Sequence, residues 1–234
     1  VISGAMAKKD HKTVSETVNT VFRMTMLIAL PAGAGFMALS EPILTLLYKG
    51  TANEPGISVA APVMALYGLM MAILTLSGPL TNILQAIGRA DVPAKSLALG
   101  CGIKIGLNYL LIGIPSINVN GAVFGTAAFY LFCIIYNYAV LKKETGVKLD
   151  MKTVIIKPLI ASVLCGVSAY GAYALLTKVL DMGNSIACLA GIAVAVLVYG
   201  VLILLTKTLV KNDILMLPKG EKIAKILEKY RLIV

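Results

Sequence analysis

Lys104 is the residue whose type and position most strongly suggest chemistry. It lies in an apolar run, eleven residues after Pro93, which is about 16 Å of helix at 1.5 Å per residue. Asn108 follows one turn later and shares its helical face. A charge near the middle of a membrane costs at least about 2.5 kcal/mol. Lys104 therefore needs a cavity and a partner: the pair could bind an anionic substrate, Lys104 could neutralise an acid elsewhere, or its side chain could reach the membrane surface.

Three further polar residues stand near the same predicted end of two apolar runs. Asn82 and Gln85 are three residues apart, so they share one face of a helix. Arg23 stands at the beginning of the preceding run. These residues are candidates for the inner mouth of a substrate path, and hydrogen bonds between helices are an equally good interpretation.

Catalytic and metal-binding motifs are absent from the sequence. There is no Ser/His/Asp set, no phosphate-binding glycine loop and no cluster with metal-ligand spacing. The cysteines stand in apolar runs without a Cys-x-x-Cys pair, which favours small buried side chains over zinc or redox chemistry: Cys101, Cys133, Cys165 and Cys188. We expect a protein that is not an enzyme and that holds no cofactor or metal.

The composition explains which elements must position these residues. The chain has 234 residues, of which 59% are hydrophobic and 14% charged, and a mean hydropathy of +0.89. Soluble domains have about 45–50% apolar and about 25% charged residues. The composition excludes a soluble enzyme, a disordered tail and a disulfide-rich secreted scaffold, and it predicts an all-α polytopic membrane protein.

Six runs are long enough to cross a bilayer, which takes about 20 apolar residues. They cover approximately residues 21–39, 59–87, 94–114, 122–141, 154–177 and 186–206. With six spans, all basic residues except Lys49, Lys104 and Lys178 fall on the side of the N-terminal stretch. The positive-inside rule then predicts a multi-pass protein of the cell membrane with both chain ends in the cytoplasm. Because the basic residues cluster between spans, the net charge of +10 does not indicate a nucleic-acid partner.

Two of the spans contain helix-breaking residues, which in the first span lie near the middle of the bilayer. Pro31 and Gly33 stand in the first span, and Gly78 and Pro79 stand in the second. Proline removes a backbone donor and clashes with the preceding turn, so these four residues are candidate hinges. Together they favour a transporter whose helices move, and they argue against a rigid membrane anchor.

The predicted organisation has five parts. Residues 1–20 form a cytoplasmic amphipathic connection, 21–142 hold four transmembrane helices of a C-terminal lobe, and 143–153 form a cytoplasmic loop. Residues 154–207 hold two additional transmembrane helices, and 208–234 form an amphipathic tail suited to an anionic membrane surface. The chain opens on Val1, and we expect it to be the C-terminal part of a longer protein.

A series of short motifs, in this order, resembles one family of transporters. The resemblance is to the stage V sporulation protein B group of polysaccharide and lipid-linked oligosaccharide transporters, within the multidrug/oligosaccharidyl-lipid/polysaccharide exporter superfamily. The motifs that carry it are Ile2-Ser3, Lys9-Asp10, Arg23, Leu30-Pro31-Ala32-Gly33, Glu41-Pro42-Ile43, Leu46-Leu47-Tyr48, Leu84-Gln85-Ala86-Ile87-Gly88-Arg89, Lys104-Ile105, Leu107-Asn108, Val119-Asn120-Gly121-Ala122 and Leu217-Pro218-Lys219-Gly220. The resemblance implies fourteen transmembrane helices in two lobes around a cavity. This chain would supply the last six, and an N-terminal lobe would be its partner.

The resemblance also implies a function. The expected function is that of a flippase or exporter that moves a polyprenyl-pyrophosphate-linked sugar by alternating access, with cavity cations on the pyrophosphate. Three alternatives stay open: an ion-coupled multidrug exporter, a membrane-embedded polysaccharide polymerase, and a non-transporting scaffold of the sporulation membrane. Cationic drugs call for acids within the membrane, and no predicted span holds a carboxylate near its centre.

Overall fold

The computed structural model describes residues 2–7, 10–51, 53–115, 117, 119–206 and 208. All of the regular secondary structure in these residues is helical, which confirms the predicted all-α class. The amphipathic tail predicted for residues 208–234 lies outside the described residues, apart from Thr208.

Eight α-helices follow one another along the described chain. They are α1 (Ile2–Ala7), α2 (His11–Ala38), α3 (Ser40–Tyr48), α4 (Ile57–Ala86), α5 (Asp91–Ile112), α6 (Asn120–Thr145), α7 (Lys157–Lys178) and α8 (Asn184–Leu205). A 3₁₀ turn (Glu54–Gly56) precedes α4 and a π-helical turn (Lys152–Ile156) precedes α7. Six helices in this part, α2 and α4 to α8, are long and apolar enough to cross a membrane. The chain is a multi-pass membrane protein, as the hydropathy predicts.

The helix that holds the first span begins ten residues before the predicted span. The Asp10 carboxylate accepts hydrogen bonds from the Thr13 backbone N–H at 3.1 Å and from the Thr13 hydroxyl at 2.6 Å. This cap satisfies donors that the first turn of a helix leaves free. Val14 and Val18 are fully buried, so the residues that we expected to form an amphipathic connection continue into the span as one helix.

The candidate hinge residues do not interrupt their helices. α2 runs through Pro31 and Gly33, and α4 runs through Gly78 and Pro79. α2 ends after Ala38, and Leu39 has φ −119° and ψ 24°. Flexibility at these four residues stays a prediction.

The first of two compact units contains Val1–Ala29 and Met70–Asp150. Its helices α5 and α6 pack against each other in antiparallel directions, and its buried side chains include Phe22, Leu84 and Leu141. α6 ends at Gly146, whose φ of +68° is left-handed and whose N–H donates to the Lys142 carbonyl at 2.9 Å. Glycine is the residue that accepts this conformation without strain.

The second unit contains Leu30–Leu69 and Met151–Val234. Within its described residues α7 packs against α8, and α3 contacts α8. A Cβ on Gly68 would lie 2.6 Å from the Gly33 carbonyl oxygen, so the end of α2 and the start of α4 approach closely at these glycines. An apolar cavity of about 470 Å³ lies among α2, α3, α7 and α8, with Pro31, Leu39 and Ala195 in its wall.

Candidate anion site between two helices of the first unit

The contact between α5 and α6 is close because small residues line it. A Cβ on Gly100 would lie 2.9 Å from the ring of Phe129, and a Cβ on Gly121 would lie 2.9 Å from the backbone of Leu111. Small residues let helix backbones approach in this way within membranes. We call this contact the α5–α6 seam.

Lys104 lies in the α5–α6 seam and is half-buried. Its Nζ atom is 5.9 Å from the centroid of the Phe129 ring, within the range of a cation–π contact. Among the described residues no carboxylate forms an ion pair with Lys104. The seam therefore contains a mid-helix cation whose observed partner is an aromatic face.

Asn108 lies one turn further along α5 and is also half-buried. Its Oδ1 atom is shielded from solvent and has no hydrogen-bond partner in the described part of the chain. A Cβ on Gly125 would lie 2.0 Å from this oxygen, so the Asn108 carboxamide occupies space that only glycine leaves open. The arrangement can supply one cation to a bound molecule, and a hydrogen-bond acceptor as well when the Asn108 carboxamide turns away from Gly125.

The other candidate site residues have different surroundings. Arg23 is buried in α2, and its guanidinium donates to the Thr20 hydroxyl at 3.4 Å. Asn82 and Gln85 are exposed on α4, on the opposite side from the buried Leu80, Ile83 and Leu84. The structure thus brings Lys104 and Asn108 together in one seam, and it places Asn82 and Gln85 on an exposed face.

Ion pairs join the two helices at one end of the α5–α6 seam. Arg89 donates to Asp91 at 3.1 Å and also pairs with Glu144 of α6. Lys95 pairs with Asp91 at 3.1 Å. The hydrogen bond to Asp91 raises the pKa of the Arg89 guanidinium. Arg89 and Lys95, which the sequence presents as loop charges, therefore have acidic partners.

Sequence reasoning missed the contribution of α6 to this site. Gly125 and Phe129 stand in the fourth predicted span, and neither was a candidate. A signal was present, because Gly121 and Gly125 form a Gly-x-x-x-Gly pattern that is typical of close helix contacts in membranes. Nothing in the sequence identifies which polar side chain fills the space beside Gly125.

Metal binding finds no support in the part of the chain that the structure describes. No group of three or more His, Cys, Asp or Glu side chains there could hold a metal ion. The chemistry available in the α5–α6 seam is that of an ammonium group, an amide and an aromatic ring.

The fold and this seam define a multi-pass membrane protein with polar groups between its spans. The family model described as lipid II flippase MurJ matches residues 1–191. The chain belongs to this family. The family is named for flippases, which are transporters, and this agrees with the expectation that the chain is not an enzyme.

Curated relatives agree with the family. The chain is 25% identical to the lipid II flippase MurJ of Bacillus subtilis over 62% of its own length and 26% of that protein. It is 26% identical to the probable lipid II flippase MurJ of Rickettsia prowazekii over 82% of its length and 40% of that protein. An uncharacterized membrane protein of B. subtilis, YabM, is 23% identical over 70% of the chain. The chain spans less than half the length of these flippases, and no solved structure matches it.

Proposed function

We propose that the chain is the C-terminal part of a flippase that moves a polyprenyl-pyrophosphate-linked sugar across the cell membrane by alternating access. The observation that carries the proposal is the α5–α6 seam. There a mid-span ammonium group, which no carboxylate of the described residues pairs, lies one turn from an amide oxygen without a hydrogen-bond partner among them. Membership of a family named for lipid II flippases supports the same substrate class.

Each part of such a substrate finds matching chemistry. The pyrophosphate binds the Lys104 ammonium as a charge-assisted hydrogen bond. A sugar hydroxyl or amide donates to Asn108 Oδ1. The polyprenyl chain remains in lipid, where transfer to water would be unfavourable. Asn82, Gln85 and Arg23 line the path towards the seam.

The finer assignment follows the resemblance carried by the sequence motifs. We propose that the protein groups with the stage V sporulation protein B transporters and that its sugar is a polysaccharide precursor or a peptidoglycan precursor such as that of the spore cortex. Its N-terminal lobe supplies the remaining helices, so that the chain provides about helices nine to fourteen. Both ends of the chain lie in the cytoplasm.

Alternating access requires helices that bend. α2 passes from the first unit to the second between Ala29 and Leu30, immediately before Pro31. A proline lacks the N–H that would bond the preceding turn, which makes bending at Pro31 and Gly33 less costly than elsewhere in α2. We propose the same role for Gly78 and Pro79 in α4.

The test uses the full-length protein that contains this chain, extracted into nanodiscs and studied by native mass spectrometry with undecaprenyl pyrophosphate. Lys104→Ala is expected to weaken binding at least about tenfold, because a hydrogen bond to a charged group is lost. Lys104→Arg is expected to keep part of the affinity. Lys178→Ala, which removes an exposed lysine at the end of α7, is the matched control.

Two outcomes would contradict the proposal. Equal binding by Lys104→Ala and the unsubstituted protein would remove Lys104 from the site. Binding of cationic amphiphiles in place of the pyrophosphate lipid would favour the multidrug exporter.

A further inference from the structure

We propose that Phe129 and Gly125 of α6 are positioning residues, which hold Lys104 of α5 for the phosphate and Asn108 of α5 for the attached sugar. The inference rests on the proposed function, since it concerns the same site. It adds two residues from the opposite helix and a role for each. Phe129 and Gly125 are both buried and are one helical turn apart.

The Phe129 ring is held from two sides. Gly100 leaves room for it on α5, because a Cβ there would lie 2.9 Å from Phe129 Cδ2. On α6 itself, the Tyr130 ring meets it edge to face at a centroid distance of 4.8 Å. Gly100 and Lys104 are four residues apart, so the ring pinned beside Gly100 lies next to the Lys104 side chain.

The fixed Phe129 ring restricts the positions that the Lys104 ammonium group can occupy. A lysine in a membrane span lowers its free energy by extending towards the polar surface. An aromatic face attracts the ammonium electrostatically, and the Nζ atom lies 5.9 Å from the ring centroid. Phe129 thus retains the cation at mid-span without neutralising it, and a phosphate oxygen remains the better partner when substrate arrives.

Gly125 acts on the second member of the pair. Its missing side chain is the space that Asn108 Oδ1 fills, at 2.0 Å from where a Cβ would be. The neighbouring hydroxyl does not donate to this oxygen, because Thr126 Oγ1 donates to the Ala122 carbonyl at 2.8 Å. A buried acceptor without a donor destabilises the protein, and an apolar side chain of similar shape would not have this cost. Packing alone does not explain an asparagine here, whereas a substrate donor does.

The first experiment compares two substitutions of Phe129 in the full-length protein in nanodiscs, with undecaprenyl pyrophosphate as the probe. Phe129→Leu keeps an apolar side chain but removes the ring, and its apparent Kd is expected to rise about fivefold, the effect of one cation–π contact. Phe129→Tyr keeps the ring face and is expected to stay within about twofold. An equal rise in both variants would overturn the role of the ring.

The second experiment separates packing from positioning at Gly125. Gly125→Ala is expected to weaken both thermal stability and binding. Adding Asn108→Ala makes room for the new methyl group, so the double variant is expected to recover stability. It is expected to bind undecaprenyl pyrophosphate that carries a sugar as well as Asn108→Ala alone does. Gly121→Ala, which is crowded by Leu111 instead of Asn108, is the packing control, and its affinity per folded molecule is expected to be unchanged. An equal loss of affinity from Gly125→Ala with and without Asn108→Ala would overturn the role of Gly125.

A third measurement does not depend on the substrate. Reductive methylation places NMR-visible methyl groups on the lysines, and the signal that Lys104→Arg removes is that of Lys104. Phe129 is expected to shift this signal by its ring current, and Phe129→Leu to abolish the shift. If the protein does not bind the pyrophosphate lipid but the shift is present, the proposed function fails and the positioning stands. An absent shift overturns the positioning itself.

Discussion

The α5–α6 seam of the first unit and the α7–α8 contact of the second unit are built alike but differ in how their polar groups are satisfied. In each, a buried cysteine donates across the contact to a backbone carbonyl: Cys133 to Ser96 at 3.4 Å, and Cys165 to Ala195 at 3.3 Å. In each, glycine allows close approach, since a Cβ on Gly191 would lie 3.0 Å from the Ala169 carbonyl oxygen.

The polar side chains of the second unit bind one another. The Tyr173 hydroxyl donates to Asn184 Oδ1 at 2.9 Å, and Asn184 Nδ2 donates to the Pro42 carbonyl at 3.0 Å. This network joins α7, α8 and α3. In the described chain, the three buried side-chain oxygens without a partner all belong to the first unit: Asn108, Asn120 and Asn137. The comparison teaches that small-residue packing is common to both units, whereas the unsatisfied side-chain oxygens of the described chain lie in the unit that holds the proposed site.

Charge reversal at Lys104 is the strongest test of this comparison. Lys104→Glu in the full-length protein is expected to lower lipid-linked substrate transport about a hundredfold or more, because a carboxylate repels the pyrophosphate and a charge-assisted hydrogen bond is lost. The measurement is transport of a labelled lipid-linked sugar in proteoliposomes. Lys178→Glu in the second unit serves as the control and is expected to retain transport. Comparable losses in the two variants would show that the first unit has no special role.

Removing a partnered amide in the second unit should affect stability and leave transport intact. Asn184→Ala leaves the Tyr173 hydroxyl and the Pro42 carbonyl without a hydrogen-bond partner. It is expected to lower the free energy of unfolding by about 1–3 kcal/mol. This change in stability would be measured by thermal unfolding, followed by the fluorescence of a thiol-reactive dye. Transport per folded molecule is expected to match the unsubstituted protein, and a selective loss of transport would contradict the comparison.

The opposite behaviour is expected from the unpartnered amide. Asn108→Leu replaces an acceptor that has no hydrogen-bond partner among the described residues with an apolar side chain of similar size. The free energy of unfolding is therefore expected to stay level or rise by about 1 kcal/mol. Binding of undecaprenyl pyrophosphate that carries a sugar is expected to weaken in the same variant, because the sugar loses its acceptor. A drop in stability as large as that of Asn184→Ala would mean that Asn108 has a structural partner.

The smallest effect concerns the start of α2. The Thr13 hydroxyl lowers the pKa of the Asp10 carboxyl by hydrogen bonding to its charged form. A lowered pKa in the folded state contributes stability above the unfolded-state pKa, and this contribution is lost as the pH falls through the folded-state pKa. Asp10→Asn is therefore expected to flatten the acid side of the stability profile slightly. α8 of the second unit begins after Gly183 without a side-chain cap, so Gly183→Ala is expected to leave the acid limb unchanged.

Much of the fold could be predicted because the hydropathy of a span depends only on the residues of that span. Each span is a run of apolar residues long enough for the bilayer, and the structure confirms six such helices. The beginning of α2 was harder to predict, because two of its polar residues bond to residues distant in sequence. His11 Nδ1–H donates to the Thr145 carbonyl at 3.1 Å, and the Asn19 amide donates to the Lys148 carbonyl at 3.0 Å. These contacts extend the helix beyond its apolar run.

The candidate site likewise has a part that the sequence predicts and a part that it does not. The spacing of Lys104 and Asn108 places them on one helical face, because the period of a helix is a property of the backbone. Arg89 shows the limit of prediction from local patterns. Its partner Glu144 lies 55 residues away, and no local pattern connects the two residues.

By itself, the sequence determined the class of the protein, its six apolar helices and the pairing of Lys104 with Asn108 along α5. Composition and helical periodicity are enough for these, because both act over a few turns of one chain segment. The tertiary structure alone decided that Phe129 faces the ammonium, that Gly125 accommodates the amide oxygen, and that this oxygen is left without a donor. Those facts depend on the register of two antiparallel helices, which is set by side-chain packing between segments and not by either segment alone.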